Sequence, residues 1–204
     1  MMELDHLAVA CETLEEGQAA VEEALGVTLQ QGGKHAHFGT HNMLLGLEDG
    51  LYLEVIAIDP EAPAPAWPRW FDLDRFSGKP RLTNWICRTD DLAALRADLP
   101  EAGAPVPLER GDLRWTMAVP ADGVLPYDNL FPPLIEWGAG VAHPAGALRP
   151  SGCRLARLVV SHPEAEALAD RLYPHLHDAR VAFESGAPGL RAEIETPSGA
   201  RVLT

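Results

Sequence analysis

Apolar residues recur along the chain in two rhythms, every second position in short runs and every third or fourth position in longer ones, and the order of the two repeats three times. The first round opens on the strand-like run LDHLAVA. In ETLEEGQAAVEEALG that follows, Leu14, Val21 and Leu25 keep helical spacing, Thr13 and Glu16 form a capping box and Gly26 supplies the stop. VTLQQGG, HAHFGTHNMLLGL and LYLEVIAI then read as extended segments, with EDG as a hairpin turn. The second round runs from LTNWICR through the helix DDLAALRADLPEAG, with Leu92, Leu95 and Leu99 on one face, into PVPLE, LRWTMAVP and PPLIEWG. The third begins at CRLARLVVS, where Ser161 and Glu164 predict another capping box, and carries Leu168, Leu172 and Leu176 into ARVAFE, GLRAEIET and ARVLT.

Three strand–helix–three-strand units of similar length are an internal repeat. They predict an α+β fold with a first βαβββ module over 1–60, a second over 81–140 and a degenerate third over 151–204, all within one compact domain. Between the first two, residues 61–80 are rich in Pro and carry Trp67, Trp70, Phe71 and Phe76. So many aromatics predict a linker that packs down as satellite core, with use as a pocket lid the alternative.

Superposing the modules places His6 over Asn84 on the first strands and Glu54 over Glu136 on the last, at similar intervals. Alternation puts Leu4, His6 and Ala8 on one face of the first strand and Tyr52, Glu54 and Ile56 on one face of the last. A lone imidazole or carboxylate inside an apolar strand costs about 1–3 kcal/mol unless it is partnered. Matched polar positions in two such strands point to a shared polar pocket. In the third unit Arg157 and Leu203 take the corresponding places, so that unit reads as structural, and its open edge predicts burial against a partner chain or the pocket rim, with a homodimer the expectation.

Charge narrows the partners. The formal net charge is −14, which argues against nucleic acid or an anionic membrane, since either asks for a basic face. The opening MMELDHLAVACETLEEG lacks the basic region and the long apolar run of a signal peptide or a membrane span. Cys11, Cys87 and Cys153 lie far apart without a CxxC pair, the pattern of core fillers in a reducing, cytoplasmic setting. The phosphate-cradling and hydrolase motifs GxGxxG, GxxxxGK[ST], GxSxG and HExxH are absent.

The repeated βαβββ pattern, LDHLAVA, GGKHAHFGTHNMLLGL running into YLEVIAID, and PPLIEW together resemble the vicinal oxygen chelate superfamily (glyoxalase, bleomycin-resistance and dioxygenase proteins), in particular bacterial glyoxalase-like domain proteins. The likeness covers residues 3–140 well and the remainder as a weaker repeat. It implies two modules paired into a cupped, half-open barrel. It also implies one divalent metal (Mg, Mn, Fe, Ni or Zn) held by His6, Glu54, Asn84 and Glu136, with no metal as the alternative. Asn84 stands where His or Gln is common, and its amide oxygen favours harder ions. The resemblance implies a lyase- or isomerase-type enzyme with Glu54 and Glu136 at its centre. Such an enzyme acts on a small oxygenated substrate, its enolate stabilised by the metal as Lewis acid. The alternative on the same fold is a binder that sequesters a small molecule without chemistry.

Other polar residues complete the expected pocket. His35, His37 and His41 in KHAHFGTHN suggest ligand contacts, with His35, His41 and Asn42 foremost and His41 a candidate general base; His35 and His37, if on one strand, share a face. LERGDLRWTMAVP offers Arg110 or Arg114 to a substrate carboxylate, and Trp115 or Trp137 as an apolar wall. His143, His162, His175 and His177 read as surface residues.

Overall fold

Strand β1 (Glu3–Ala10) lies in the middle of the sheet, because both modules use their first strand as the joint. It pairs in parallel with β4 (Tyr52–Ile58) of its own module and antiparallel with β5 (Arg81–Arg88), the first strand of the second. Outward from β4 follow β3 (Thr40–Leu47) and β2 (Gln30–His35); outward from β5 follow β8 (Leu134–Trp137), β7 (Leu113–Val119) and β6 (Ala104–Arg110). The two modules are therefore related through the β1–β5 pair and form one open, curved sheet. The computed structural model describes all 204 residues.

Helices fill one face of that sheet. Helix α1 (Leu14–Leu25) starts where Thr13 accepts the Glu16 N–H at 3.3 Å and ends at Gly26 with φ 69°, both as the sequence predicts. It buries Leu14, Val21 and Leu25 against Leu7, Val9, Leu53 and Val55 of β1 and β4. Helix α2 (Leu92–Asp98) buries Leu92 and Leu95 beneath the second module. The opposite, concave face carries a smaller apolar cluster that includes Ala8, Ala10, Ile56, Ile86, Met117 and Ile135. The linker crosses this concave face with Trp70, Phe71 and Leu73 buried, which joins the packed-down and the lid readings in one strap. Of the linker's four aromatic rings, Trp67 alone is exposed, at 46%.

The third unit keeps the order strand, helix, three strands but pairs differently. Its first strand β9 (Pro150–Ser161) lies between β10 (Val181–Glu184), parallel, and β11 (Gly189–Thr196), antiparallel, with β12 (Gly199–Leu203) beyond. β9 docks on β3 through Gly46 and Leu47, which places Cys153, Leu155 and Leu158 in the main core. Helix α3 (Ala165–Leu172) begins at Glu164 with no side-chain cap; Ser161 is the last residue of β9, so the predicted capping box does not form. The open edge expected of this unit is β12, whose residues Gly199–Val202 are exposed.

Candidate functional site

The concave face carries a narrow, partly open pocket between the two modules and the strap. Strand alternation decides what enters it. On β4, Tyr52 and Glu54 face the pocket while Leu53 and Val55 face the helices. On β3 the pocket takes Asn42 and Leu44. The sequence singled out both His41 and Asn42, but neighbours on a strand cannot share a face. His41 falls on the side of Met43 and Leu45, away from the pocket, so its expected role as general base has no place in this geometry.

A bulge sets the first polar residue. In the β1–β5 ladder Leu4 pairs with Cys87 and His6 with Ile86, which leaves Asp5 extra. The shift sends Leu4 into the helix-side core, contrary to the simple alternation of Leu4 with His6. It also lets Asp5 bond its neighbour: His6 Nδ1 lies 2.6 Å from Asp5 Oδ1. Trp137 Nε1 donates to Asp5 Oδ2 at 3.0 Å, and His143 Nε2 lies 2.9 Å from the same oxygen. Burial alone pushes the Asp5 carboxyl up, but the hydrogen bonds from His143 and His6 and their charges outweigh it and hold Asp5 well below the usual carboxylate range. The imidazole of His6 stacks on Tyr52 with centroids 4.3 Å apart, and burial holds the Tyr52 phenol far above its ordinary value.

The remaining edge of His6 meets the glutamate. His6 Nε2 stands 3.7 Å from Glu54 Oε2, close but unbonded, while Glu54 Oε1 accepts from Asn42 Nδ2 at 2.6 Å. Asn42 is itself oriented, because its Oδ1 accepts the Gly33 N–H at 2.7 Å. A side chain at Gly32 would come within 2.0 Å of Asn42 Oδ1, and one at Gly33 within 2.7 Å of Arg110 Cδ. The Gly32–Gly33 pair in β2 thus clears the path by which Asn42 and Arg110 enter from neighbouring strands. Arg110 Nη1 lies 3.2 Å from His35 Nε2 and 3.5 Å from Asn42 Oδ1. Burial first, and the Arg110 charge second, push His35 down to about 3, so it is neutral and accepts from Arg110 while Nδ1 faces Thr40 Oγ1 at 3.0 Å.

Aromatic and aliphatic side chains close the rest: Trp70 and Phe71 from the strap, Trp115, Met117, Ile135 and Trp137 from the second module. Phe71 and Asp72 take left-handed backbone, with φ 58° and 57°, an unfavourable state for residues with a Cβ, and this turn is what lays Phe71 over the pocket.

The structure brings His6, His35, Asn42, Glu54, Arg110, Trp115 and Trp137 together and leaves His37, His41, Asn84, Arg114 and Glu136 outside. Glu136 Oε2 accepts the Leu92 N–H at 2.6 Å on the opposite face, where it caps α2 beside Asp91. Superposing the two glutamates slips the register by one residue, which reverses every side chain; Ile135 and Trp137 are the pocket-facing residues of β8. Asn84 is fully buried and donates to the Asn129 carbonyl at 3.3 Å. His37 sits in the turn after β2, stacked on Trp67, and shares no face with His35. Arg114 is exposed and pairs with Glu109 at 3.1 Å. Sequence reasoning missed Asp5, Tyr52 and His143 as pocket or supporting residues, and reached Trp70 and Phe71 only through the alternative of a linker lid. Asp5, a second polar residue inside LDHLAVA, was the available signal, whereas nothing local marks His143, a loop residue bonded across the fold. His162 is likewise buried, against Asp128, where the sequence suggested surface.

Comparison with known proteins matches the sequence profile of the glyoxalase-like domain to residues 4–176. The chain belongs to the glyoxalase-like domain family. The superfamily resemblance read from its strands holds with it. No curated protein matches the chain. A hypothetical protein from Staphylococcus aureus is similar in fold at 13% identity, with a TM-score of 0.64 over 93% of this chain and 88% of that one. Methylmalonyl-CoA epimerase from Mycobacterium tuberculosis shares 23% identity over 71% of this chain and 91% of its own, with a TM-score of 0.44. A variant of the Streptomyces coelicolor methylmalonyl-CoA epimerase in complex with 2-nitronate-propionyl-CoA shares 21% over 67% and 97%, at a TM-score of 0.43. At such identities the likeness is one of fold. The chemistry of this glyoxalase-like protein has to be read from its own pocket.

The four-ligand metal centre that the resemblance implies does not fit these residues. His6 and Glu54 meet, but Glu136 caps a helix on the other face, and Asn84 does not line the pocket: its Nδ2 donates to the Asn129 carbonyl and its buried Oδ1 meets no partner. No three His, Cys, Asp or Glu side chains converge in a metal-holding group, and a protein-bound catalytic ion typically needs three such ligands. The same pocket already holds a fixed cation, Arg110.

Proposed function

We propose that this glyoxalase-like protein binds a small oxygenated molecule in the pocket and moves a proton at the carbon beside its carbonyl, an isomerase- or lyase-type reaction. The observation that carries the reading is the Glu54–His6 pair. One oxygen of Glu54 is fixed by Asn42, and the other faces a His6 nitrogen 3.7 Å away. His6 is in turn held by Asp5 through its far nitrogen, the arrangement that fixes tautomer and ring orientation. A substrate C–H presented to this pair gives its proton to the free Glu54 oxygen as the electron pair moves to the carbonyl oxygen. The proton then returns to carbon or oxygen, with His6 Nε2 positioned as the second proton-handling group. Trp70, Phe71, Trp115 and Trp137 keep bulk water from the carbanionic intermediate.

The test is solvent-deuterium exchange followed by NMR across a panel of small carbonyl compounds. The wild-type protein should accelerate exchange at the carbon next to the carbonyl for at least one compound. Glu54→Gln should reduce that acceleration about 10²–10⁴-fold, the usual contribution of a positioned acid–base group. Compounds that bind without any exchange would instead support the sequestration reading, which the closely packed aromatic wall favours.

A further inference from the structure

We infer that the molecule taken by this pocket is a small carboxylate, recognised by Arg110. This rests on the pocket proposed above and names its substrate class. Arg110 reaches from β6, the outermost strand of the second module, across to His35 on β2, the outermost strand of the first. It is a pocket-lining guanidinium with no carboxylate of the protein within ion-pairing distance, since Asp5 is taken by His6, Trp137 and His143, and Glu54 by Asn42. Only Nη1 is engaged, by His35 Nε2 and Asn42 Oδ1; Nε and Nη2 donate to no protein acceptor. A guanidinium taken partly out of water without a counter-charge is costly, and its planar fork matches a carboxylate in a bidentate pair.

Two further features point the same way. The glycine at position 33 leaves room for the arginine arm, because a Cβ there would lie 2.7 Å from Arg110 Cδ. Trp70, on the same pocket wall, has an indole N–H that is buried and has no acceptor in the protein. Two donors without acceptors, beside a neutral imidazole that adds no competing charge, ask for an anion with more than one oxygen. The apolar remainder of the wall fits an aryl or alkyl tail. A ligand carboxylate seated on Arg110 lies on the His35–Asn42 side of the pocket, and Asn42 then sets the distance between that carboxylate and Glu54.

The probe pair is 3-phenylpropanoate and its neutral amide, 3-phenylpropanamide, titrated against the full chain by calorimetry and by the fluorescence of the pocket tryptophans. The wild-type protein should bind the carboxylate at least tenfold more tightly than the amide. Arg110→Gln should erase that preference while leaving the amide's affinity in place, and Arg110→Lys should restore part of it. Gly33→Ala, which touches no ligand, should weaken carboxylate binding by displacing the arginine. Equal affinity for the two probes in the wild type, a preference that survives Arg110→Gln, or binding of neither probe at millimolar concentration would each overturn the inference. Exchange by the wild-type protein separates the two proposals: carboxylate preference with no deuterium exchange on any compound leaves Arg110 standing and removes the proton-transfer reading. Exchange on neutral carbonyls without carboxylate preference does the reverse.

Discussion

His35 is an imidazole whose environment has removed its usual titration. It is buried at 6% exposure, Arg110 stands against its Nε2, and its basicity drops from the ordinary 6.5 to about 3. The folded state therefore refuses a proton that the unfolded chain accepts. With the folded value depressed, the native state is at no disadvantage above pH 6.5 and loses stability as pH falls from there toward 3. The loss from this one group is about 1.4 kcal/mol per pH unit within that window. In urea melts between pH 7 and 4, His35→Gln should show a shallower decline than the wild type, so that the gap between the two narrows on acidification. Parallel stability curves would mean that His35 is protonated in the folded protein. Asp5 follows the other sign convention to the same end: a carboxyl depressed by His143 and His6 stabilises above the normal carboxylate range and ceases to do so at acid pH.

Elements explain why two glutamates that look alike in the sequence do different work. Glu54 follows Tyr52 by two residues on β4 and shares its pocket face; Glu136 lies between Ile135 and Trp137 on β8 and shares neither's. Its carboxylate reaches α2 instead, where it accepts the first N–H of the helix at 2.6 Å. An orphan donor at a helix start is worth about 0.5–2 kcal/mol when capped. Glu136→Ala should lower the stability by that amount in thermal or denaturant unfolding and leave affinity for 3-phenylpropanoate within twofold of wild type. A large loss of affinity with unchanged stability would return Glu136 to the pocket. β2 shows the same economy at element scale. Its register shift between Gln31 and Lys34 brackets the Gly32–Gly33 pair, and the irregularity frees the Gly33 N–H to orient Asn42.

At the scale of the whole molecule, the third unit is continuous with the rest. β9 pairs with β3, and Cys153, Leu155, Leu158 and Leu168 belong to the same apolar cluster as Leu7, Leu53 and Trp85. Leu82 N–H donates to the carbonyl of Thr204, just after β12, which ties the third unit to the second module. Calorimetric unfolding should accordingly show one cooperative transition whose calorimetric and van't Hoff enthalpies agree. Two resolved transitions would divide the third unit from the paired modules. No helix of the protein is long and apolar enough to cross a membrane, in keeping with helices that each bury only one face.

The sequence by itself determined the elements and their repetition. Periods of two and of three to four, Thr13 and Gly26 at the ends of α1, and the EDG turn (Asp49 and Gly50 at φ 62° and 71°) are local signals, set by backbone sterics and capping within a few residues. Because alternation is also local, Glu54 on the face of Tyr52 was legible too. What only the tertiary structure decided is everything that needs register between distant strands. The bulge at Asp5 arises where β1 meets β5, the slip at Glu136 where β8 meets β5 and β7, and the meeting of Arg110 with His35 where the sheet curves its two ends together. The strap placing Trp70 and Phe71 over the pocket, and His143 returning to Asp5, are long-range in the same sense. A period-two pattern says which residues share a face but not which face is inside, and one residue of slip exchanges the two.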